Sequence, residues 1–202
     1  VLALLTARLV VALRTAVVLG APIELEHSGF SVCMPEGNGW NRPRGWDYSE
    51  GKATLIGTFA PGSWKATALA RCSFIFPDEI MDLDTRFERR RQAVEGEIVE
   101  DGRIETKSLV VDWVRIDQTK GYNYIFGTAQ LPDYRRIEIE VQESTGDLAL
   151  AKSVFKAIAS ALKVTANPLL DSGAKMIANM KNKGLADALD NRNRQRLFLI
   201  KD

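Results

Sequence analysis

The sequence predicts an α+β fold in which helices pack on an antiparallel sheet, and three observations lead to this fold class. Alternating apolar and polar runs are separated by turn signals such as Pro61-Gly62 and Pro132-Asp133. One segment with helical periodicity, residues 82–95, lies within this series of strands. A second such segment, residues 148–163, closes the series. An N-terminal hydrophobic helix precedes this domain and a helical C-terminal arm follows it. The expected units are residues 1–22, 24–165 and 166–202.

The composition excludes several classes of function. A chain of 202 residues can form one buried core with appendages, and its net charge of +1 gives no reason to expect a nucleic-acid partner. His27 is the only histidine, which excludes histidine-rich metal sites. No C-x-x-C pattern occurs, so zinc and thioredoxin-type sites are excluded as well. The alternation around Cys33 and Cys72 favours two free thiols, and a disulfide in an exported protein is the alternative.

Residues 1–22 are predicted to be a membrane-seeking helix. They contain no acidic residue, and Arg8 and Arg14 are their only charges. A span needs about 20 apolar residues, whereas an arginine near the bilayer centre costs about 2.5–3.5 kcal/mol. We therefore expect a retained single span that packs against other membrane helices. The soluble domain would lie on one side, in a periplasmic or lumenal space, or at the mitochondrial inner membrane. A cleaved signal peptide and a mitochondrial-type presequence are the alternatives.

The first half of the domain is predicted to contain three strands and one long loop. Residues 29–35 form a short strand that ends at a proline, and residues 53–60 and 67–76 pair across a turn. The loop that connects the first of these strands to the second, residues 36–51, carries three large aromatic side chains, Trp40, Trp46 and Tyr48. Because large aromatic residues anchor interfaces, this loop is the best candidate for a contact surface. Packing over the sheet edge is the alternative.

The first predicted helix combines an apolar stripe with a run of arginines. Its apolar residues recur at helical spacing, at Ile80, Leu83, Phe87, Val94 and Ile98. Asp82 or Asp84 can cap its start. Its arginines are Arg86, Arg89, Arg90 and Arg91. We expect them to form a solvated helix face, with a docking patch for an acidic partner as the alternative.

The second half of the domain is predicted to contain further strands and the closing helix. Strands are expected within residues 104–131, and residues 134–143 are the clearest strand in the chain. Glu138 and Glu140 share one face of that strand, as a general acid and base would, but any half-exposed strand shows this spacing. The closing helix carries a buried stripe of Leu148, Ala151, Phe155, Ile158 and Leu162.

Several short motifs suggest a family. They are Gly29-Phe30-Ser31-Val32, Met34-Pro35, Gly39-Trp40, and a closing helix followed by Leu162-Lys163-Val164. In these motifs and in its order of elements, the chain resembles the PsbP/Mog1/DcrB-like α+β group over residues 24–165. That group contains extrinsic photosystem subunits, a nuclear-transport cofactor and bacterial envelope proteins. The resemblance implies a binding domain without catalytic residues.

The C-terminal arm, residues 166–202, is basic and carries spaced apolar residues. From residue 165 onward, seven lysines and arginines stand against four aspartates, which gives a charge of +3. Near its end come Arg192, Arg194 and Arg196, followed by an apolar run that contains Phe198. An arm that is too small for its own core packs on another surface. That surface is either its own domain or a partner protein or membrane headgroups.

These features predict a protein that binds partners and performs no catalysis. No phosphate-binding glycine loop of the Walker or Rossmann type occurs, and we expect no cofactor and no metal. The hypothesis is an accessory or structural subunit of a multi-protein membrane complex, of a photosynthetic or respiratory electron-transport type. Its partners would be other subunits and membrane lipids. An exported ligand- or lipid-binding domain anchored to a membrane is the alternative. The candidate partner-binding residues are Arg8, Arg14, Trp40, Trp46, Tyr48, Arg192, Arg194, Arg196 and Phe198.

Overall fold

A computed structural model describes residues 17–25, 28–37, 39–41, 43, 45–49, 52–59, 66–75, 79–119, 121–133, 135–165, 177–181, 183–184, 186–187 and 189–191. The strands before the first helix are β1 (Ile23–Leu25), β2 (Phe30–Val32), β3 (Trp40–Asn41), β4 (Asp47–Ser49), β5 (Lys52–Phe59) and β6 (Ala66–Phe74). Then follow α1 (Leu83–Val94), β7 (Gly96–Glu105), β8 (Val110–Gln118), β9 (Asn123–Gln130), β10 (Arg135–Glu143), α2 (Leu148–Ala161) and β11 (Lys163–Val164).

The described strands form two antiparallel sheets, which confirms the predicted α+β class. The large sheet has the order β3-β5-β6-β10-β9-β8-β7, and β4 also pairs with β5. The small sheet has the order β1-β2-β11. In the centre of the large sheet, Ile139 of β10 lies opposite Ala70 of β6 on one side and Gly127 of β9 on the other. Small residues therefore line the sheet face on which α2 packs.

Helix α2 and the small sheet cover one face of the large sheet. The helix begins after Asp147, whose side chain accepts a hydrogen bond from the Leu150 backbone N–H. Its buried residues include Ala151, Phe155 and Ile158, as the apolar stripe predicts. Phe155 lies directly over Gly127, where an added Cβ would come within 2.4 Å of the ring. Glycine in β9 is what allows this helix to approach the sheet.

Helix α1 covers part of the opposite face. Phe87 packs edge-on against Phe126, with ring centroids 6.1 Å apart, in a second core cluster with Val114, Ile116 and Tyr124. The helix ends at Glu95, which has a φ of 54°. This left-handed conformation usually requires glycine or asparagine. It turns the chain directly into β7, so the helix and the edge strand form one compact unit.

A buried arginine joins the small sheet to the large one. Arg135 of β10 is 2% exposed and donates to the carbonyl oxygens of Ser28, at 2.5 Å, and Thr165, at 2.6 Å. Its guanidinium also pairs with Asp133, with Nη2 2.5 Å from Oδ2. Both carbonyls lie at the same end of the small sheet, because the antiparallel pairing of β2 with β11 places Thr165 beside Gly29. We call this set of contacts the Arg135 clasp.

The prediction of a transmembrane helix at residues 1–22, and of the membrane localisation that it carried, is corrected. No helix in the part of the chain that the structure describes is long and apolar enough to cross a membrane. The last residues of the segment instead pair with the residues that follow β2, through an isolated antiparallel bridge between Leu19 and Pro35. The Gly20 N–H donates to the Met34 carbonyl and the Glu36 N–H to the Val18 carbonyl, both at 2.9 Å. Residues 1–16, with Arg8 and Arg14, lie outside the described residues.

Other expectations are met or corrected locally. Ile98, assigned by its spacing to the first helix, belongs to β7, and Ile80 precedes α1 and is 52% exposed. Cys33 and Cys72 are both free thiols, and burial raises the pKa of Cys72 to about 12. In the described part of the C-terminal arm, four apolar residues are buried in the main core, in the same cluster as the apolar stripe of α2. They are Ile177, Met180, Ala186 and Leu189.

Candidate partner-binding groove

A cleft of about 760 Å³ lies between the first half of α1 and the β7–β8 hairpin. We call it the α1–β7 groove. Its floor is apolar and consists of Leu83, Phe87, Ile98 and Val114. Phe87 and Val114 are buried, whereas Ile98 is 39% exposed. The groove therefore exposes an apolar surface at the edge of the second core cluster.

A β-bulge sets which side chains of β7 face the groove. Ile98 lies opposite Ile116 and Glu100 opposite Arg115, so β7 has one residue, Val99, in excess over β8. The extra residue changes the alternation, so that Asp101, opposite Val114, shares the α1 face with Ile98. Without the bulge, Asp101 would lie on the α2 face. The bulge thus places a carboxylate directly beside the apolar floor.

The rim of the groove is acidic. Asp84 and Glu88 line it from α1, and Asp101, Asp112 and Arg103 line it from the strands. Four carboxylates and one guanidinium leave a formal charge of −3. Two of these carboxylates, those of Glu88 and Asp112, already pair with arginines of the same chain. Arg103 Nε lies 2.8 Å from Asp112, and hydrogen bonds from Arg91, then Gln92, lower the pKa of Glu88 to about 2.

The other two carboxylates, Asp84 and Asp101, are exposed and face the groove from opposite walls. Among the described residues, neither has a cation within ion-pair distance. Asp84 lies in the first turn of α1, where the helix dipole favours a negative charge. Asp101 has no comparable compensation. The groove therefore presents two carboxylates without a paired cation among the described residues, one on each side of an apolar floor.

Buried polar contacts hold α1 firmly beside the groove. Arg86 is 8% exposed and donates to Thr128 Oγ1 at 2.7 Å and to Gln130 Oε1 at 2.6 Å. Burial, and then the charge of Arg136, lowers the pKa of Arg86 from its ordinary value. Its Nε has no partner among the described residues. The expectation of a solvated arginine face is wrong for this residue.

Arg90 is also drawn onto the sheet. Its guanidinium carbon lies 4.6 Å from the centroid of the Phe126 ring, and Nη2 lies 2.7 Å from Glu140 Oε1. The second contact lacks hydrogen-bond alignment and is an ion pair. Tyr124 donates to the other oxygen of Glu140 at 2.8 Å. Burial, and then the Glu140 charge, raises the pKa of Tyr124.

Glu138 and Glu140, considered above as an acid and base pair, take part in this network. Glu138 is 8% exposed and lies 3.0 Å from Arg71 Nη1. Each carboxylate is thus held against an arginine in an ion pair. Among the described residues, no group of three His, Cys, Asp or Glu side chains is placed to hold a metal ion. The contacts of Arg86 and Arg90 with β9 and β10 attach α1 to the sheet.

The predicted site residues lie away from the groove or outside the described residues. Trp40 is 7% exposed and packs in the main core, near Gly57. Trp46 is half-buried, with its ring centroid 5.8 Å from that of Phe30. Tyr48 lies in β4 opposite Ala53. Neither tryptophan lines the groove. The remaining predicted residues, Arg8, Arg14, Arg192, Arg194, Arg196 and Phe198, fall outside the described part.

Comparison with known proteins does not assign a family. No protein-family model matches the sequence, and a search of curated proteins found no match. The resemblance to the PsbP/Mog1/DcrB-like group therefore stays a prediction.

Proposed function

We propose that this chain is a non-catalytic accessory subunit that binds another protein through the α1–β7 groove. The single observation that carries the proposal is the apolar floor of the groove, in which Ile98 is 39% exposed, beneath an acidic rim. Apolar surface that is open to solvent and rimmed by polar residues is typical of protein interaction sites. The accessory-subunit hypothesis thus rests on the groove and no longer on a membrane anchor.

A protein segment suits this groove better than a small molecule does. Small-molecule sites enclose most of the ligand and aim a few fixed polar groups at it. Here Asp84 and Asp101 are exposed on the rim, and the buried polar groups of this sheet face are directed at one another. The rigid attachment of α1 also favours docking without rearrangement, since a preformed surface loses little conformational entropy on binding.

The proposal is tested by replacing Ile98 with serine in the full-length chain. The matched control is Ile56→Ser, because Ile56 is 52% exposed on β5 and lies outside the groove. The native mass of the tagged chain is measured in extracts of the source cells. Ile98→Ser should shift the chain from a large assembly to its free mass, whereas Ile56→Ser should leave the assembly intact. A chain that runs at its free mass before any substitution would contradict the proposal.

A further inference from the structure

Resting on the proposed function, we infer that the segment bound in the α1–β7 groove is basic. It presents an apolar side chain to the floor around Ile98 and lysine or arginine side chains to Asp84 and Asp101. The partner is a chain that carries such a segment.

The distribution of charge in the groove carries this inference. Glu88 and Asp112 already have cations of their own, at Arg91 and Arg103. Asp84 and Asp101 have none among the described residues, and they lie on opposite walls. Two carboxylates that face one cleft repel each other, and a bound cation on each side removes that repulsion. An acidic segment would add to the repulsion, and a neutral one would leave it in place.

The arm of the same chain starts from the wrong side of the sheet to be the occupant. Its described residues Ile177, Met180, Ala186 and Leu189 are buried in the main core, on the face that α2 covers. The groove opens on the opposite face, where α1 packs. A segment from another chain reaches the groove without crossing the sheet edge. We therefore assign the groove to a partner.

The direct test uses two labelled synthetic peptides and the full-length chain. One peptide repeats Lys-Leu-Leu-Arg, and the other repeats Glu-Leu-Leu-Glu. The basic peptide should bind and the acidic one should not. The double variant Asp84→Asn/Asp101→Asn should weaken the basic peptide about tenfold, equivalent to about 1.4 kcal/mol. Binding to the unsubstituted chain should weaken with added salt, since exposed charges are screened.

A matched control separates the groove from general attraction between opposite charges. Glu24→Gln/Asp187→Asn removes two exposed carboxylates that lie outside the groove. This control should bind the basic peptide as the unsubstituted chain does. Equal weakening by both double variants, or equal binding of both peptides, would overturn the inference. So would tighter binding after Arg192, Arg194 and Arg196 are replaced by glutamate, because the chain's own arm would then be the competitor.

The same variants distinguish failure of this inference from failure of the proposed function. If Ile98→Ser releases the native assembly and Asp84→Asn/Asp101→Asn leaves it intact, the groove binds a partner that is not basic. If neither variant changes the assembly, both conclusions fail. Thermal unfolding of each variant establishes that it is folded, so that a lost interaction reports on the surface.

Discussion

Replacing Arg135 with methionine should destabilise the fold by about 3–5 kcal/mol, the range for breaking a buried ion pair on one side. The side chain is 2% exposed, so methionine keeps most of its volume but none of its donors. The substitution leaves the Ser28 and Thr165 carbonyls and the Asp133 carboxylate without their bonds to the guanidinium. An unsatisfied buried acceptor costs about 1–3 kcal/mol, so the loss at the buried Ser28 carbonyl accounts for part of this destabilisation.

The assay is urea unfolding of the purified full-length chain, followed by tryptophan fluorescence. The matched control is Arg103→Met, which breaks an ion pair with Asp112 at a side chain that is 60% exposed. Exposed pairs contribute about 0–1 kcal/mol, so this control should barely move the midpoint. If Arg135→Met destabilises the chain no more than Arg103→Met does, the Arg135 clasp is not what joins the two sheets.

Three further predictions concern the unit of α1 and β7. Gly96→Ala should lower the free energy of unfolding by about 1–3 kcal/mol, because the new Cβ would lie 2.5 Å from the Asp117 carbonyl oxygen. An unchanged melting temperature would contradict this prediction. Asp82→Ala should cost about 1 kcal/mol in urea unfolding, since the Thr85 N–H loses its cap, and a loss of helicity should accompany it. Glu88 should titrate near pH 2 by carboxyl-carbon NMR, against an ordinary pKa of 4.5. Because the folded-state pKa is lowered, its stabilising contribution is present above the ordinary pKa and is lost as the pH falls toward 2; titration at the ordinary value would refute the contact with Arg91.

The sequence predicted the strands that alternate cleanly and the helix with the stronger apolar stripe. In β10, Ile137, Ile139 and Val141 all point to the main core, and in α2 the stripe includes Phe155 and Ile158. These elements carry their apolar side chains on one face only, so their side-chain period shows directly in the sequence. Their positions follow from local patterning together with the turn residues between them.

Strand β7 escaped sequence analysis for two physical reasons. The predicted helix ends at residue 95, as observed, but Glu95 takes a left-handed conformation that most residues avoid, so nothing in its identity indicates that a strand follows directly. The bulge at Val99 then interrupts the alternation of a strand in which most side chains are exposed. Ile98 therefore fitted the helical period of the preceding residues. Because β7 forms one wall of the groove, the candidate site was missed with it.

The roles of the arginines on α1 also depend on tertiary structure. Arg86 and Arg90 have the composition and spacing of a solvated helix face, as Arg91 illustrates with its exposed pair to Glu88. Arg86 is buried and Arg90 is half-buried because β9 supplies Thr128 to Arg86 and Phe126 to Arg90. Thr128 and Phe126 lie about forty residues further along the chain, so no pattern within the helix predicts these contacts.

Photo-crosslinking from position 98 tests the central claim most directly. A benzophenone amino acid is placed at Ile98 in the tagged full-length chain, and in a parallel sample at Ile56, and both are irradiated in native extracts. Our account predicts a discrete crosslinked product from position 98 and none from position 56. Identical products from both positions, or a product from position 56 alone, would contradict the assignment of the α1–β7 groove as the partner-binding surface.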